Sequence, residues 1–151
     1  MTTFRPAIAD DLAQLDIRPE QPFAVAGRDQ MVEHFERLGD AWTFSEDGEP
    51  FMVAGLIQAW PGRGIAWAVV GAHRTWGGMM RAGAELMNLM EWELSHRFHR
   101  IEAYADCFPL DWWVACDWFL QRLGFHREGV LSRYTQDGRD QCIYARVRHD
   151  G

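Results

Sequence analysis

The sequence predicts an α+β domain in which helices cover both faces of a mixed sheet of about seven strands. The order of the apolar patterns is β-α-α-β-β-β-α-β-α-β-β. The strand before the longest helix and the strand after it are expected to be parallel neighbours, because a helical crossover joins them. Short turns between most other strands indicate antiparallel pairing in the rest of the sheet.

The composition fits one soluble domain over residues 1–151. With 48% hydrophobic residues, the chain can bury a full core. A net charge of −7 argues against binding to a nucleic-acid backbone, which needs a basic face. No apolar run is long enough to span a membrane and no signal peptide is evident, so we expect a cytoplasmic protein. The three cysteines lack metal-binding spacing, and we predict no metal site.

The N-terminal half is predicted to hold a strand, two helices and a three-stranded meander. The strand at residues 3–6 leads into a helix over residues 7–16, where Asp10 and Asp11 favour the N-terminus. Two prolines within residues 18–22 end that helix. The next elements are a helix with apolar residues at helical spacing and three strands separated by short turns: residues 27–38, 41–45, 51–60 and 64–70.

The C-terminal half begins with the longest predicted helix, over residues 75–97. Its core-facing stripe recurs every three or four residues: Met79, Gly83, Leu86, Met90 and Leu94. A strand, a helix that ends at a glycine and two strands flanking Asp137-Gly138, a hairpin signal, complete the chain: residues 100–106, 111–123, 128–136 and 139–147.

A candidate anion site lies where an apolar strand meets the long helix. The strand ends in Val69 and Val70, Gly71 stops it, and Gly77-Gly78 stands at the start of the helix. Glycines let backbone amides approach an anion, and the N-terminal end of a helix favours negative charge. The same glycines would also suit a sharp strand-to-helix turn, so both interpretations stay open.

Polar side chains on the next strand form a second candidate site. Alternation places Glu102, Tyr104 and Asp106 on one face of the strand, opposite three apolar residues. Carboxylates and phenols can act as general bases and acids, and Tyr134 in the closing hairpin is a further candidate. A structural role for each of these side chains is the alternative.

Three stretches, in the right order and over nearly the whole chain, resemble the GNAT superfamily of N-acetyltransferases: Phe4–Asp10, Phe119–Phe125 and Glu128–Arg146. The resemblance implies two splayed parallel strands that hold acetyl-CoA, its pyrophosphate on the turn before the long helix, and an amine acceptor. Carried onto this chain, the cofactor-binding positions are Val69, Val70, Arg74, Thr75, Trp76, Gly77, Gly78 and Arg81.

The chain departs from the family pattern at three positions, one of which is Trp113, where the family has an asparagine. Arg74 and Gly77 match the phosphate turn, but Met79 stands where its last small residue belongs. Leu120 replaces the tyrosine that protonates the leaving thiolate in many members. Glu102, Tyr104 and Tyr134 are therefore the catalytic candidates that the resemblance leaves.

A narrower resemblance concerns Ala59–Gly62 and Ala66–Ala68, which look like small GNAT-like proteins of bacteriophages and prophages. Some of those, in short-tailed phages, are internal virion proteins. Two functions follow: an acetyl-CoA-dependent N-acetyltransferase in the bacterial cytoplasm, or a non-catalytic virion protein that uses the fold as a protein–protein scaffold. Trp113 falls off the inward stripe of its helix and, if exposed, is the candidate contact for self-association or another virion protein.

Overall fold

The computed structural model describes residues 1–17 and 22–149. Seven strands lie within these ranges: β1 (Thr2–Pro6), β2 (Asp40–Glu46), β3 (Glu49–Trp60), β4 (Arg63–Val70), β5 (Arg100–Asp106), β6 (His126–Leu131) and β7 (Gln141–Val147). The helices of the described chain are α1 (Ala9–Gln14), α2 (Pro22–Glu33), α3 (Trp76–His96) and α4 (Leu110–Arg122), with a short 3₁₀ helix at Phe35–Leu38.

The strands form one sheet in the order β1-β2-β3-β4-β5-β7-β6. β4 and β5 are parallel, with Arg63–Ile65 in register with Arg100–Glu102. The pairs β1–β2, β2–β3, β5–β7 and β6–β7 are antiparallel. Helix α3 makes the crossover between the parallel strands. The predicted α+β fold with a mixed seven-stranded sheet is confirmed.

Most predicted elements lie close to the observed ones, and the extents of α2, β6 and β7 differ. α2 begins at Pro22 rather than residue 27 and gives way to the 3₁₀ helix before residue 38. The predicted break at residues 18–21 lies outside the described residues. At the C-terminus, β6 ends at Leu131 and β7 begins only at Gln141. The prediction of a two-residue hairpin at Asp137-Gly138 is therefore wrong.

The reason lies in the loop that replaces the tight hairpin. Arg133 adopts a left-handed backbone with a φ of 49°, and its N–H donates to the Asp140 carboxylate at 2.7 Å. The N–H of Tyr134 donates to the carbonyl of Arg139 at 2.9 Å. These bonds satisfy the backbone inside the loop, so the strands stop short of Gly138, which still turns with a φ of 83°.

The described chain divides into two units by its internal contacts. The first unit comprises the described residues up to Ile57 together with Ala66–Ala82, and the second comprises Gln58–Ile65 and the described residues from Gly83 onward. β3, β4 and α3 each contribute residues to both units. The single-domain organisation over residues 1–151 stays a prediction.

An apolar cluster forms the core of the first unit. Its buried members come from α1, the segment after it, and the strands β3 and β4: Leu12, Leu15, Ile17, Val53 and Val69. Side chains of α2 and the 3₁₀ helix pack onto it: Met31, Val32, Phe35 and Leu38. Each fully buried aliphatic side chain contributes roughly 1.5–3 kcal/mol by leaving water.

Trp67 packs face-on against the backbone of β3. A Cβ atom at Gly55 would lie 2.5–2.6 Å from three atoms of the Trp67 ring, so only glycine fits beneath the indole as placed. The indole N–H donates to the carbonyl of Leu38 at 3.0 Å, which fixes the ring. The 3₁₀ helix is thereby tied to β4.

Asp11 is the buried charge of the first unit. Its carboxylate accepts two bonds of 2.7 Å from Arg5, one of 2.9 Å from the N–H of Ile8 and one of 2.8 Å from the Thr43 hydroxyl. The Arg5 bond is the main reason that the pKa of Asp11 falls to about 2. This carboxylate holds the start of α1 against β1 and β2.

In the second unit, β5 alternates as predicted. Ile101, Ala103 and Ala105 are at most 6% exposed and belong to the core. On β7, Tyr144 is fully buried and its hydroxyl donates to Asp117 of α4 at 2.6 Å. Among the helices described, none is long and apolar enough to cross a bilayer.

Candidate functional site

Thr75 caps the N-terminus of α3. Its hydroxyl oxygen accepts the N–H of Gly78 at 3.0 Å, and its carbonyl accepts the N–H of Met79 at 2.9 Å. Ser and Thr are favoured at this position because they satisfy a helix N–H that has no partner within the helix. Two amides of the predicted phosphate turn are therefore bonded within the chain.

The two adjacent glycines have different surroundings. A Cβ on Gly78 would lie 3.0 Å from the Thr75 hydroxyl, 3.3 Å from the Phe51 ring and 3.4 Å from the Glu46 carboxylate. A Cβ on Gly77 would meet only the Arg81 guanidinium, at 4.0 Å. A side chain at Gly78 would thus be crowded, whereas Gly77 leaves the surface of the first helical turn open.

Arg81 carries positive charge to this turn. Its guanidinium donates to the Thr2 hydroxyl at 2.9 Å and to the Glu46 carboxylate at 3.3 Å. The Arg81 side chain is 60% exposed, and Glu46 is 22% exposed. Arg74, the other predicted phosphate ligand, is half-buried. The arrangement therefore combines a cation and a competing carboxylate beside the open glycine.

The other predicted cofactor-binding positions of the first unit lie in contrasting environments. Val69 and Val70 are 3% and 9% exposed, so their side chains belong to the core. Trp76 is 69% exposed at the first residue of α3. The loop before α3 is fixed by a 2.6 Å bond from the Gly71 N–H to the carbonyl of Phe51.

Glu102, on β5, is the most heavily bonded carboxylate of the second unit. It accepts bonds of 2.8 and 2.5 Å from Arg63, 2.8 Å from Arg100 and 2.8 Å from the Tyr104 hydroxyl. Its side chain is 6% exposed. Because Arg63 lies on β4, this ion pair spans the parallel strands where their register begins.

These bonds set the proton affinity of Glu102 and Tyr104. The Arg63 bond is the largest cause that lowers the pKa of Glu102 to about 2. Burial, followed by the bond to Glu102, raises the pKa of Tyr104. A carboxylate with such a low pKa is a weak general base at neutral pH, so the geometry favours a positioning role for Glu102.

Tyr134 comes from the loop after β6 and joins this group. Its ring stacks on that of Tyr104, with centroids 5.6 Å apart and an angle of 10°. Tyr134 is 54% exposed, whereas Tyr104 is half-buried. The structure therefore brings together the three predicted catalytic side chains, Glu102, Tyr104 and Tyr134, and their roles stay predictions.

Trp113 does not have the exposed position that its predicted partner role requires. Its ring N–H donates to the Cys142 sulfur at 3.1 Å, and the Arg127 guanidinium lies 5.5 Å from its ring centroid. Trp113 therefore faces Cys142 of β7 and is not exposed. The aromatic residue exposed on α4 is Trp118.

Three residues that carry this chemistry were not predicted from the sequence. Arg63 and Arg100 flank Glu102, and Glu46 lies beside the first turn of α3. The parallel pairing of β4 and β5 could have indicated Arg63, because it places that residue beside Arg100. Across residues 1–17 and 22–149, no three His, Cys, Asp or Glu side chains group as a metal site.

The fold matches solved acetyltransferases over almost the whole chain. A putative GNAT-family acetyltransferase from Desulfovibrio desulfuricans is 22% identical with a TM-score of 0.65, covering 99% of this chain and 100% of that one. An acetyltransferase from Bacillus subtilis in complex with CoA is 14% identical with a TM-score of 0.67, covering 97% and 99%. The ribosomal-protein-S5-alanine acetyltransferase from Vibrio fischeri is 17% identical with a TM-score of 0.65, covering 99% and 94%.

At these identities the likeness establishes the GNAT fold alone. No protein-family model matches the sequence, and no curated protein matches it.

Stability at acid pH should depend on Glu102. Because its folded pKa of about 2 lies below the ordinary 4.5, its contribution is present above about pH 4.5 and is lost as pH falls towards 2. The shift corresponds to about 3 kcal/mol. We expect Glu102→Gln to lower the free energy of unfolding by about 2–4 kcal/mol at pH 7. Between pH 5 and 3, the free energy of unfolding of this variant should change less than that of the wild type.

Urea unfolding at several pH values measures both effects. Asp11 titrates in the same range in both proteins and therefore cancels in the comparison. Glu128→Gln is the matched control, because Glu128 also pairs with Arg100 but is 42% exposed; it should cost less than about 1 kcal/mol. Parallel pH curves for the wild type and Glu102→Gln would contradict this account.

Proposed function

We propose that the chain is an acyl-CoA-dependent N-acyltransferase that binds the pyrophosphate of the acyl donor at the Gly77 end of α3. The observation that carries this proposal is the open surface at Gly77, where a Cβ would meet only Arg81. A helix N-terminus with an accessible backbone and a nearby guanidinium is suited to phosphate. The GNAT fold supports the same assignment, since solved acetyltransferases share it.

The residues present fit such a ligand through charge and open space. The Arg81 side chain is 60% exposed, so its pair with Glu46 contributes little to stability, on the order of 0–1 kcal/mol. A phosphate can therefore replace Glu46 as the guanidinium's partner. The N–H of Met79 already bonds to Thr75. A small residue at position 79 would therefore offer no further amide.

When bound, acetyl-CoA supplies a thioester carbonyl for attack by an amine, with a thiolate as the leaving group. Tyr134 is the phenol that can hold or donate the proton, because it is exposed and stacks on Tyr104. The Tyr104 hydroxyl, by contrast, already donates a hydrogen bond to the Glu102 carboxylate. We therefore assign Tyr134 as the candidate catalytic residue, and Tyr104 and Glu102 as the residues that position it.

Acetyl-CoA should raise the melting temperature of the wild type by several degrees. A ligand that binds only the folded state at one hundred times its Kd adds about 2.7 kcal/mol. Gly77→Glu should abolish the shift, because its carboxylate covers the open turn and repels phosphate. The variant itself should fold, since an acidic side chain near a helix N-terminus is favourable.

Thermal unfolding with and without millimolar acetyl-CoA tests this. Ala84→Glu is the matched control, because it adds the same charge at an exposed position farther along α3. We expect it to keep the wild-type shift. Absence of a shift in the wild type, or an unchanged shift in Gly77→Glu, would reject the phosphate site.

Tyr134→Phe should lower kcat at least tenfold with little change in KM. The variant keeps the ring that stacks on Tyr104 and removes only the hydroxyl group, and general acid–base catalysis typically contributes about 10²–10⁴-fold. Thiol release from acetyl-CoA with a panel of amines, amino acids and peptides measures the rate. Tyr144→Phe is the control, because the Tyr144 phenol bonds to Asp117 in the core. Wild-type kcat in Tyr134→Phe would exclude the role.

A second candidate function is assembly without catalysis, in keeping with the resemblance to phage and prophage proteins. Its support is an apolar stripe on the outer face of α4, a helix without a buried residue. Leu110, Val114 and Trp118 are 64%, 53% and 40% exposed and recur every four residues. Exposed apolar patches can mark sites of protein–protein contact.

The occupant that best fits this stripe is a second copy of the chain, packed antiparallel through α4. Asp111 and Arg122 are exposed at opposite ends of the helix, on the same side of the stripe. A two-fold axis through the middle of α4 would place each carboxylate beside the partner copy's guanidinium. The two copies of this surface would therefore match each other in charge and also in their apolar side chains.

Val114→Glu should convert such a dimer to a monomer, because it places a charge at the centre of the apolar contact. Light scattering at increasing protein concentration measures the mass. Ala115→Glu is the control, because Ala115 is exposed but off the stripe, and it should leave the dimer intact. A wild type that stays monomeric and binds acetyl-CoA would remove this candidate.

A further inference from the structure

A cavity of about 340 Å³ lies at the end of β5, within the second unit. The last residue of β5, the segment after it and the loop between β6 and β7 form its wall: Asp106, Phe108, Arg133, Gly138, Arg139 and Asp140. Small-molecule sites measure roughly 300–1,000 Å³. This cavity is therefore of a size for one small ligand rather than a peptide segment.

Most of the charge in the wall is already paired. Arg139 bonds to the Asp106 carboxylate and, at 2.9 Å, to that of Asp137. Asp106 also accepts a bond of 3.1 Å from Gln141. The guanidinium of Arg133 has no carboxylate partner within the part of the chain that the structure describes. An exposed cation is thus left at the cavity wall.

The loop holds Arg133 in a conformation that its own preferences oppose. A left-handed backbone costs a residue other than glycine roughly 1–2 kcal/mol, and Arg133 has a φ of 49°. Asp140 maintains it through the 2.7 Å bond to the Arg133 N–H. The guanidinium is thereby directed over Gly138, whose Cβ position is 3.6 Å from Nη1. Strain of this kind often marks a functional position.

Phe108 adds an aromatic surface to the cavity. Its side chain is 75% exposed, although it lines the wall beside charged residues. An aromatic face attracts ammonium groups as well as planar apolar groups. The Asp140 carboxylate, which takes the Arg133 N–H with one oxygen, adds a negative group nearby. The wall therefore offers a guanidinium for an anion, and a carboxylate and a ring for a cation.

We propose that this cavity binds a free α-amino acid, with the ligand carboxylate on Arg133 and its ammonium towards Asp140 and the Phe108 ring. The proposal that an amino acid binds here is argued from the cavity and does not depend on the proposed acyltransferase function. That the amino acid is the acyl acceptor rests on the proposed N-acyltransferase function. The substrate class would then be small zwitterionic amines, not proteins or polyamines.

Isothermal titration with L-phenylalanine, L-phenylalanine amide and N-acetyl-L-phenylalanine tests the proposal. The amide lacks the carboxylate and the acetyl derivative lacks the ammonium, so each should bind at least tenfold more weakly than the amino acid. Arg133→Gly should remove binding and raise the melting temperature, because glycine adopts the left-handed backbone without strain. That combination separates loss of the ligand contact from loss of the fold.

Arg122→Gln is the matched control, since it also removes an exposed guanidinium from the second unit. The Arg122 side chain lies over the Trp118 ring on α4, not at the cavity. It should bind like the wild type. No amino-acid binding at millimolar concentrations would overturn the proposal. Equal binding by Arg133→Gly and the wild type would overturn it as well. The acetyl-CoA shift in the same preparations reports separately on the acyltransferase function, so the two can fail independently.

Discussion

The second unit depends on one buried carboxylate between the parallel strands. The register of β4 with β5 covers only Arg63–Ile65 and Arg100–Glu102, so few backbone bonds join them. Glu102 adds charge-assisted bonds to arginines of both strands at this point. Leaving the Glu102 carboxylate alone in the interior would be strongly unfavourable. The same bonds fix Tyr104, so the requirement for parallel pairing also sets the geometry of the candidate catalytic group.

Local patterns explain how much of the fold could be predicted. The apolar run that became β4, the alternation of β5 and the stripe of α3 are each written within a few residues, and each element formed where expected. The loop between β6 and β7 could not be predicted in this way. Asp137-Gly138 favours a tight turn locally, but the strands stop earlier because Arg133 bonds to Asp140 and Tyr134 bonds to Arg139 inside the loop. Neither bond is indicated by the turn residues themselves.

The residue types of the candidate site could be identified in the sequence, but the surroundings of each side chain could not. Gly77 and Gly78 are indistinguishable in sequence, yet Phe51 and Glu46 pack against only the second of them. Likewise Trp113 and Trp118 share a helix, and only the contact with β7 decides which one is exposed. A sequence gives the residue types near a site, whereas the side that each one faces depends on elements that join it after folding.

The contact between Trp67 and Gly55 has a consequence for how the sequence can change over time. With the indole on the strand backbone, any larger residue at position 55 collides with the ring. Replacing the tryptophan first leaves a void and frees the carbonyl of Leu38, which its ring N–H now satisfies. Substitution at either position alone is therefore unfavourable. A smaller residue must replace Trp67 before a larger residue can replace Gly55. Related chains should change these two positions together.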